Sequence, residues 1–266
     1  MASGDVLVDV NDVGLTLGGN LILDGVNFQI RDRERPGAVT GQIAALLGPS
    51  GVGKTRLLRI LAGLDSPDRG KVTGLSGAPL LAGEVGVVFQ NYPLLRHRTV
   101  LGNLRMAGAS LGMSGAEAEA RASKLLEAFG LSERAELFPA QLSGGQRQRV
   151  AIAQQLMKQR QLLLFDEPFS GLDPAALVAV VQLLVEVAHM HEANTLVIVT
   201  HDIRAALLAS DVVFMLGRPG GPRGKGAQIL HTFDLVEKGL TWREDVEQDP
   251  AFVALEQEIK GLFRHL

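Results

Sequence analysis

Gly48-Pro49-Ser50-Gly51-Val52-Gly53-Lys54-Thr55 fits the spacing G-x-x-x-x-G-K-[ST], and the chemistry open to such a segment is the holding of a polyphosphate. Its glycines let backbone N–H groups converge on phosphate oxygens. Lys54 adds a positive charge at the β- and γ-phosphates, and Thr55 offers a hydroxyl to Mg2+. The spacing alone arises by chance in on the order of one in a hundred chains of this length, so its setting has to decide. An apolar run at 43–47 precedes it and a helical pattern (Leu57, Leu58, Ile60, Leu61) follows, the strand and helix that the motif requires. Asp166 and Glu167 end a second apolar run, 162–165. A buried strand ending this way leaves both carboxylates at the sheet edge where open α/β sheets bind ligands. Asp166 then suits Mg2+ and Glu167 suits polarisation of an attacking water; taken alone, the pair also fits a solvated turn before Pro168. In Leu142-Ser143-Gly144-Gly145-Gln146, Ser143 and Gln146 form an S-x-x-Q capping box that starts a helix. The glycines leave that N-terminus uncovered, as an anion site requires, whereas ordinary capping leaves them unexplained.

The elements that must position these groups follow from periodicity. Alternating residues (Val6, Val8, Val10; Leu15, Leu17; Val26, Phe28, Ile30) around Gly18-Gly19-Asn20 predict antiparallel strands joined by a tight turn. Continuous apolar runs at 43–47, 85–89, 162–165, 196–199 and 212–216, with helical stretches such as 176–189 between some of them, predict a parallel sheet covered on both faces. Between Tyr92 and Arg160 helical spacing takes over (Ala118, Ala122, Leu125, Leu126, Phe129), closed by Gly130. After Leu216 the segment LGRPGGPRGKGAQ is too rich in Gly and Pro for a regular element. A last amphipathic helix over 249–266 carries Phe252, Leu255, Ile259, Leu262 and Phe263 on one face; it either covers the core or makes a dimer or regulatory contact.

Composition narrows the function classes. A chain of 266 residues with 46% apolar residues buries one ample core. A formal net charge of −3 lacks the basic excess of a nucleic-acid binder, so no nucleic-acid partner is expected. With no cysteine, disulfides and thiolate zinc sites are excluded. The start MASGDVLVDV has no basic region before an apolar core, and no run of eighteen uncharged apolar residues occurs. Neither export by a leader nor a membrane span is therefore expected, and any service to a membrane goes through an inserted partner.

On the three motifs together the chain resembles the nucleotide-binding subunit of ATP-binding cassette transporters over roughly residues 5–216. The resemblance implies an α/β P-loop NTPase core, with mostly parallel sheet, an N-terminal antiparallel β part and an inserted helical subdomain. The expected division is 1–91 with 161–216 as core, 92–160 as the helical subdomain and 217–266 as a C-terminal extension. ATP and Mg2+ are the implied ligands. LSGGQ becomes the signature motif, in which Ser143, Gly144, Gly145 and Gln146 meet the γ-phosphate held by another subunit's P-loop in a head-to-tail dimer. Gln90 becomes the loop glutamine that senses Mg2+ and water, placed with Thr55 and Asp166 as metal-binding groups. Asp173, in Ser170-Gly171-Leu172-Asp173, falls in the dimer-contacting loop, and His201 becomes the switch histidine, catalytic with Glu167 and Gln90. Two positions depart from the family pattern. Leu17 stands where an aromatic residue stacks on adenine, which leaves ATP-over-GTP preference open, and Arg56 stands where a second hydroxyl is usual, pointing aside or pairing with the α-phosphate.

A small-molecule P-loop kinase has no use for LSGGQ or a switch histidine. A cassette ATPase acting on DNA or ribosomes would more often carry two cassettes or a coiled-coil insertion. The implied partners are transmembrane permease subunits, a second copy or a paralogous ATPase subunit, and a substrate-binding protein; the implied place is the cytoplasmic face of the cell membrane, held peripherally. Segments such as RPGAVTGQIAALLGPSGVGKT and SDVVFMLGRPG resemble importers of the nitrate/sulfonate/taurine group, with an exporter or non-transport ATPase as the alternative.

Overall fold

A computed structural model describes residues 4–32, 41–158, 160–243 and 245–266. Residues 35–40 of the importer-like segment, and 1–3, 33–34, 159 and 244 of the expected divisions, lie outside the described residues. The opening alternation forms β1 (Val6–Leu17) and β2 (Asn20–Arg31), antiparallel with Val10 opposite Phe28 and Leu17 opposite Asn20. A third strand, β4 (Arg69–Gly74), pairs with the other side of β1, giving the order β2-β1-β4. The sequence reading did not include β4, whose Arg69, Gly70 and Lys71 lack an apolar signal.

The second sheet runs β5-β6-β7-β3-β8-β9 among the described residues. Its strands β3 (Gln42–Leu47), β5 (Gly86–Val88), β6 (Leu162–Asp166), β7 (Thr195–Thr200) and β8 (Val212–Gly217) pair in parallel, with Leu47 level with Thr200 and Met215. The expected run at 85–89 is shorter than predicted: only Gly86–Val88 pairs, and Gln90 lies beyond the strand. The glycine-rich segment 218–227 forms no regular element, as expected, and the residues after it form β9 (Gln228–Asp234), an antiparallel edge strand that the sequence pattern does not announce. As an edge strand it is only half covered, which is why its pattern, with Thr232 and His231 exposed, reads weakly.

Burial on both faces explains the continuous apolar runs. Successive side chains of a strand point to opposite faces, so in β3 Ala44 and Leu46 pack toward Val10, Leu57 and Val197 under the antiparallel sheet, with Phe28 and Phe214 rings 4.7 Å apart there. Ile43 faces the other way, with Phe165, Leu184 and Ile198. That side is covered by α5 (Pro174–His189) and by the inserted lobe of α2 (Val100–Ala109), α3 (Gly115–Ala128) and α4 (Gly144–Leu156), which holds no strand among its described residues. Gly130 ends α3 with φ +64°, as its place after the last periodic residue predicts. Ala45, Leu47 and Met215 pack with α6 (Ile203–Ala209) and α7 (Pro250–Phe263), whose Phe252, Leu255 and Ile259 are buried. The terminal helix thus covers the core.

Candidate active site

The C-terminal ends of β3, β5, β6 and β7 converge on one edge, and each delivers one of the expected groups there. After β3 the loop 48–53 leads into α1 (Lys54–Leu61). Gly48 is required by close approach, since a Cβ there would lie 2.5 Å from the Leu216 carbonyl, and Gly53 turns the chain with φ +122°. Val52 is buried beneath the loop and its N–H donates to the Pro49 carbonyl (3.3 Å), so it shapes the loop and does not line it. Lys54 is 5% exposed, and its Nζ donates to the carbonyls of Gly48 (2.8 Å) and Pro49 (3.2 Å).

Lys54 Nζ also lies 3.3 Å from Glu167 Oε1, while Glu167 Oε2 lies 2.8 Å from His201 Nδ1, so the carboxylate is held from both sides. Burial pushes the Lys54 ammonium below the usual lysine range, and Glu167 pulls in the opposite direction. Asp166, at the end of β6, accepts a hydrogen bond from the Thr55 hydroxyl at 3.1 Å. Its carboxyl is pushed up, first by burial, against the Thr55 hydrogen bond. Glu167 itself adopts φ +50°, a backbone region rare for a residue with a side chain. Its N–H donates to the Val199 carbonyl (2.8 Å), which ties this turn to β7.

These groups open on a cleft of about 580 Å³, lined also by Ser50, Gly51, Arg56, Gln90 and Leu17. Gln90 Nε2 donates to Ser170 Oγ (3.2 Å), so the loops after β5 and β6 meet across it. Arg56 is directed aside, its Nη1 3.6 Å from Asp65, which is also held by Arg59 at 2.7 Å. Leu17 is 38% exposed at the cleft wall beside Ile22, so no aromatic lines this wall among the described residues.

Two groups stand apart. Asp173 caps α5, its carboxylate accepting from Ala176 N–H at 2.9 Å. Ser143 and Gln146 form the expected reciprocal capping box (3.2 and 2.9 Å) at the start of α4, away from the cleft. There a Cβ on Gly144 or Gly145 would meet nothing within 4 Å, so packing within this chain does not require either glycine.

Three contacts are not legible in the sequence, two of them because their partners are distant in the chain. Ile22 lines the cleft beside Leu17. Arg218 Nη2 donates to the Gly51 carbonyl (3.2 Å), bracing the phosphate-loop backbone. Buried Gln148 of α4 donates to the Pro168 carbonyl (3.2 Å), joining the helical lobe to the turn that carries Glu167.

A family model described as ABC transporter matches residues 37–170. The sulfate/thiosulfate import ATP-binding protein CysA of Bradyrhizobium diazoefficiens is 41% identical over 244 residues, which span 88% of this chain and 66% of the relative. That of Acinetobacter baylyi is 42% identical over 76% of this chain and 58% of its own length, so the chain spans less than two thirds of these relatives. The aliphatic sulfonates import ATP-binding protein SsuB of Pseudomonas entomophila is 40% identical over 77% of this chain and 71% of its own length. Among solved structures, cbiO1 from Clostridium perfringens, part of an ABC transporter complex, superposes with TM-score 0.74 at 26% identity over 88% of this chain and 91% of its own. A dimeric ATP-binding cassette in a post-hydrolysis state with ADP and Pi gives TM-score 0.68 at 28% identity over 86% of this chain and 99% of its own. The family match, the relative that is 40% identical over 71% of its own length and the cleft geometry agree, and the chain belongs to the ABC transporter family.

Proposed function

We propose that this chain hydrolyses ATP as the motor subunit of an importer for sulfur oxyanions or sulfonates, working through separate permease subunits. The observation that carries the ATPase reading is the Lys54–Glu167–His201 cluster at the mouth of a phosphate-binding loop. Triphosphate entering the loop takes the Lys54 ammonium, which releases Glu167 Oε1 to accept a hydrogen bond from water. The water oxygen bonds to the γ-phosphorus as the bond to the β–γ bridging oxygen breaks, giving ADP and phosphate, while Glu167 draws on the water proton. His201, on the other carboxylate oxygen, fixes the orientation of Glu167 and reaches toward the γ-phosphate.

Thr55 and Asp166 present hard oxygen donors 3.1 Å apart beside the loop, a donor set that suits Mg2+, with Gln90 on the same cleft. When bound, that ion neutralises charge on the β- and γ-phosphates. The open glycines of α4 favour a head-to-tail second copy, or a paralogous ATPase subunit, that brings Ser143, Gly145 and Gln146 to the γ-phosphate of this chain's cleft; Asp173 lies in the loop expected at that contact.

The relatives' names motivate the cargo class, the permease and an accompanying substrate-binding protein. No helix among the described residues is long and apolar enough to cross a membrane, which fits a peripheral place on the cytoplasmic face, reached by docking. Uptake assays with the chain and its permease test the direction of transport.

Glu167→Gln is the decisive variant, because it keeps size and removes the proton acceptor. Turnover is expected to fall about 100-fold or more while ATP stays bound. Near wild-type turnover in the assembled transporter would move the assignment to another group, His201 first.

A further inference from the structure

On the sheet edge opposite the nucleotide cleft lies a cavity of about 530 Å³ that shares no lining residue with it. Arg121 of α3 and Arg160, just before β6, line it together with His191 and Asn194 from the turn before β7. The Nε atoms of both arginines are shut off from solvent and have no hydrogen-bond partner among the described residues. Arg121 donates from Nη2 to the Leu156 carbonyl at the end of α4 (2.9 Å), which holds its guanidinium beside the cavity. His191 Nδ1 accepts from Ala193 N–H (3.1 Å), so a neutral ring carries its proton on Nε2 and presents a further donor. Asn194 is fixed by its own bond to the Val187 carbonyl (2.7 Å).

The described residues lining this cavity include no carboxylate. A neighbouring cavity that Arg160 also lines contains Glu84, but Glu84 Oε2 accepts from Leu81 N–H (3.0 Å) and makes no ion pair with Arg160 among the described residues. Two guanidinium groups lining one cavity that has no carboxylate among its described lining residues leave positive charge there that an anion would offset. The planar donor fork of arginine matches the oxygens of a tetrahedral anion.

We propose that this cavity binds a small molecule with a phosphate or sulfate head, free or as a monoester, between Arg121 and Arg160. The lining comes from both parts of the molecule: Arg121 belongs to the helical lobe and Arg160 is its last residue, whereas His191 and Asn194 belong to the strand-bearing core. A bound anion therefore ties lobe to core at a point remote from ATP, and stabilises the folded chain by binding it alone.

Calorimetric titration of the full chain tests this, with a non-hydrolysable ATP analogue saturating the nucleotide cleft so that the phosphate loop cannot take the probe. Inorganic phosphate, inorganic sulfate and glycerol phosphate are the probes, and comparison of the first two with the third separates free anions from esters. Saturable binding of at least one is expected, weakened roughly tenfold or more in Arg160→Gln, with analogue affinity unchanged as proof of folding. If Arg160→Gln fails that folding check, His191→Ala, at an exposed position, is judged on loss of probe binding. Absence of saturable binding for all three probes, or equal affinity in the folded variant, overturns the proposal.

Discussion

Glu167 combines a left-handed backbone with a carboxylate held on one oxygen by Lys54 and on the other by His201. Such a backbone costs on the order of 1–3 kcal/mol and persists only where surroundings over-determine it. Here β7 supplies the Val199 carbonyl and α4 supplies Gln148 on the next peptide. The wall expected to face the base is built from less: Leu17 and Ile22 offer only aliphatic faces. In the proposed site the loop amides, Lys54 and Thr55 contact phosphates and do not distinguish bases. Stacking on an aromatic is worth roughly 1–3 kcal/mol per base, so ATP and GTP are expected to bind with similar affinity. Leu17→Tyr is expected to tighten ATP several-fold with little change in the rate of chemistry. Dissociation constants for both nucleotides in both proteins check this; strong ATP preference in the wild type, or no gain from tyrosine, shows that Leu17 does not face the base.

At the scale of elements, the last helix shows what amphipathic spacing can settle and what it cannot. The spacing of Phe252, Leu255 and Ile259 fixes one apolar face for α7, but only tertiary contact decides that it lies on Ala45, Leu47 and Met215. Phe252 is 1% exposed, so Phe252→Ala is expected to cost about 3–5 kcal/mol of stability, read as a lowered denaturation midpoint. A loss under about 1 kcal/mol would mean that α7 packs loosely on the core. The chemistry-bearing runs were legible because phosphate and water chemistry tolerates few residue types and because a doubly covered strand is apolar throughout, as in β3 and β7. β4 and β9 were not, since a polar or half-covered strand is defined by its partner's hydrogen bonds, here Val72 with Val10 and Phe233 with Val213. The same limit hid Arg218 and Gln148, whose partners lie 167 and 20 residues away, and left the direction of Arg56 open until Asp65 was seen beside it.

Taken as a whole molecule, the chain carries the cleft and the capped start of α4 on two separate surfaces, which the proposed function reads as two halves of a composite site. The cleft is open to solvent on the side of Lys54 and Glu167, whereas phosphoryl transfer gains from exclusion of bulk water. The capped start of α4 lies elsewhere, with two glycines whose missing side chains open no space that this chain itself fills. Packing within this chain requires neither glycine, and their bare backbone leaves room for close approach from outside the chain. In the proposed head-to-tail pair, each of these surfaces would meet the other's complement. Gly145→Asp then blocks the approach without unfolding the helix, because an acid in the first turn favours the helix dipole and its Cβ meets nothing within 4 Å. Lys54→Ala disables the cleft of its own copy. Each variant alone is expected to be inactive, yet a mixture is expected to recover ATPase activity, since one of the two composite sites in a mixed pair carries neither lesion. Steady-state phosphate release from the mixture, with mixed pairs verified by differential tagging, measures it. Verified mixed pairs that stay as inactive as the separate variants would show that α4 serves its own chain and not its neighbour's.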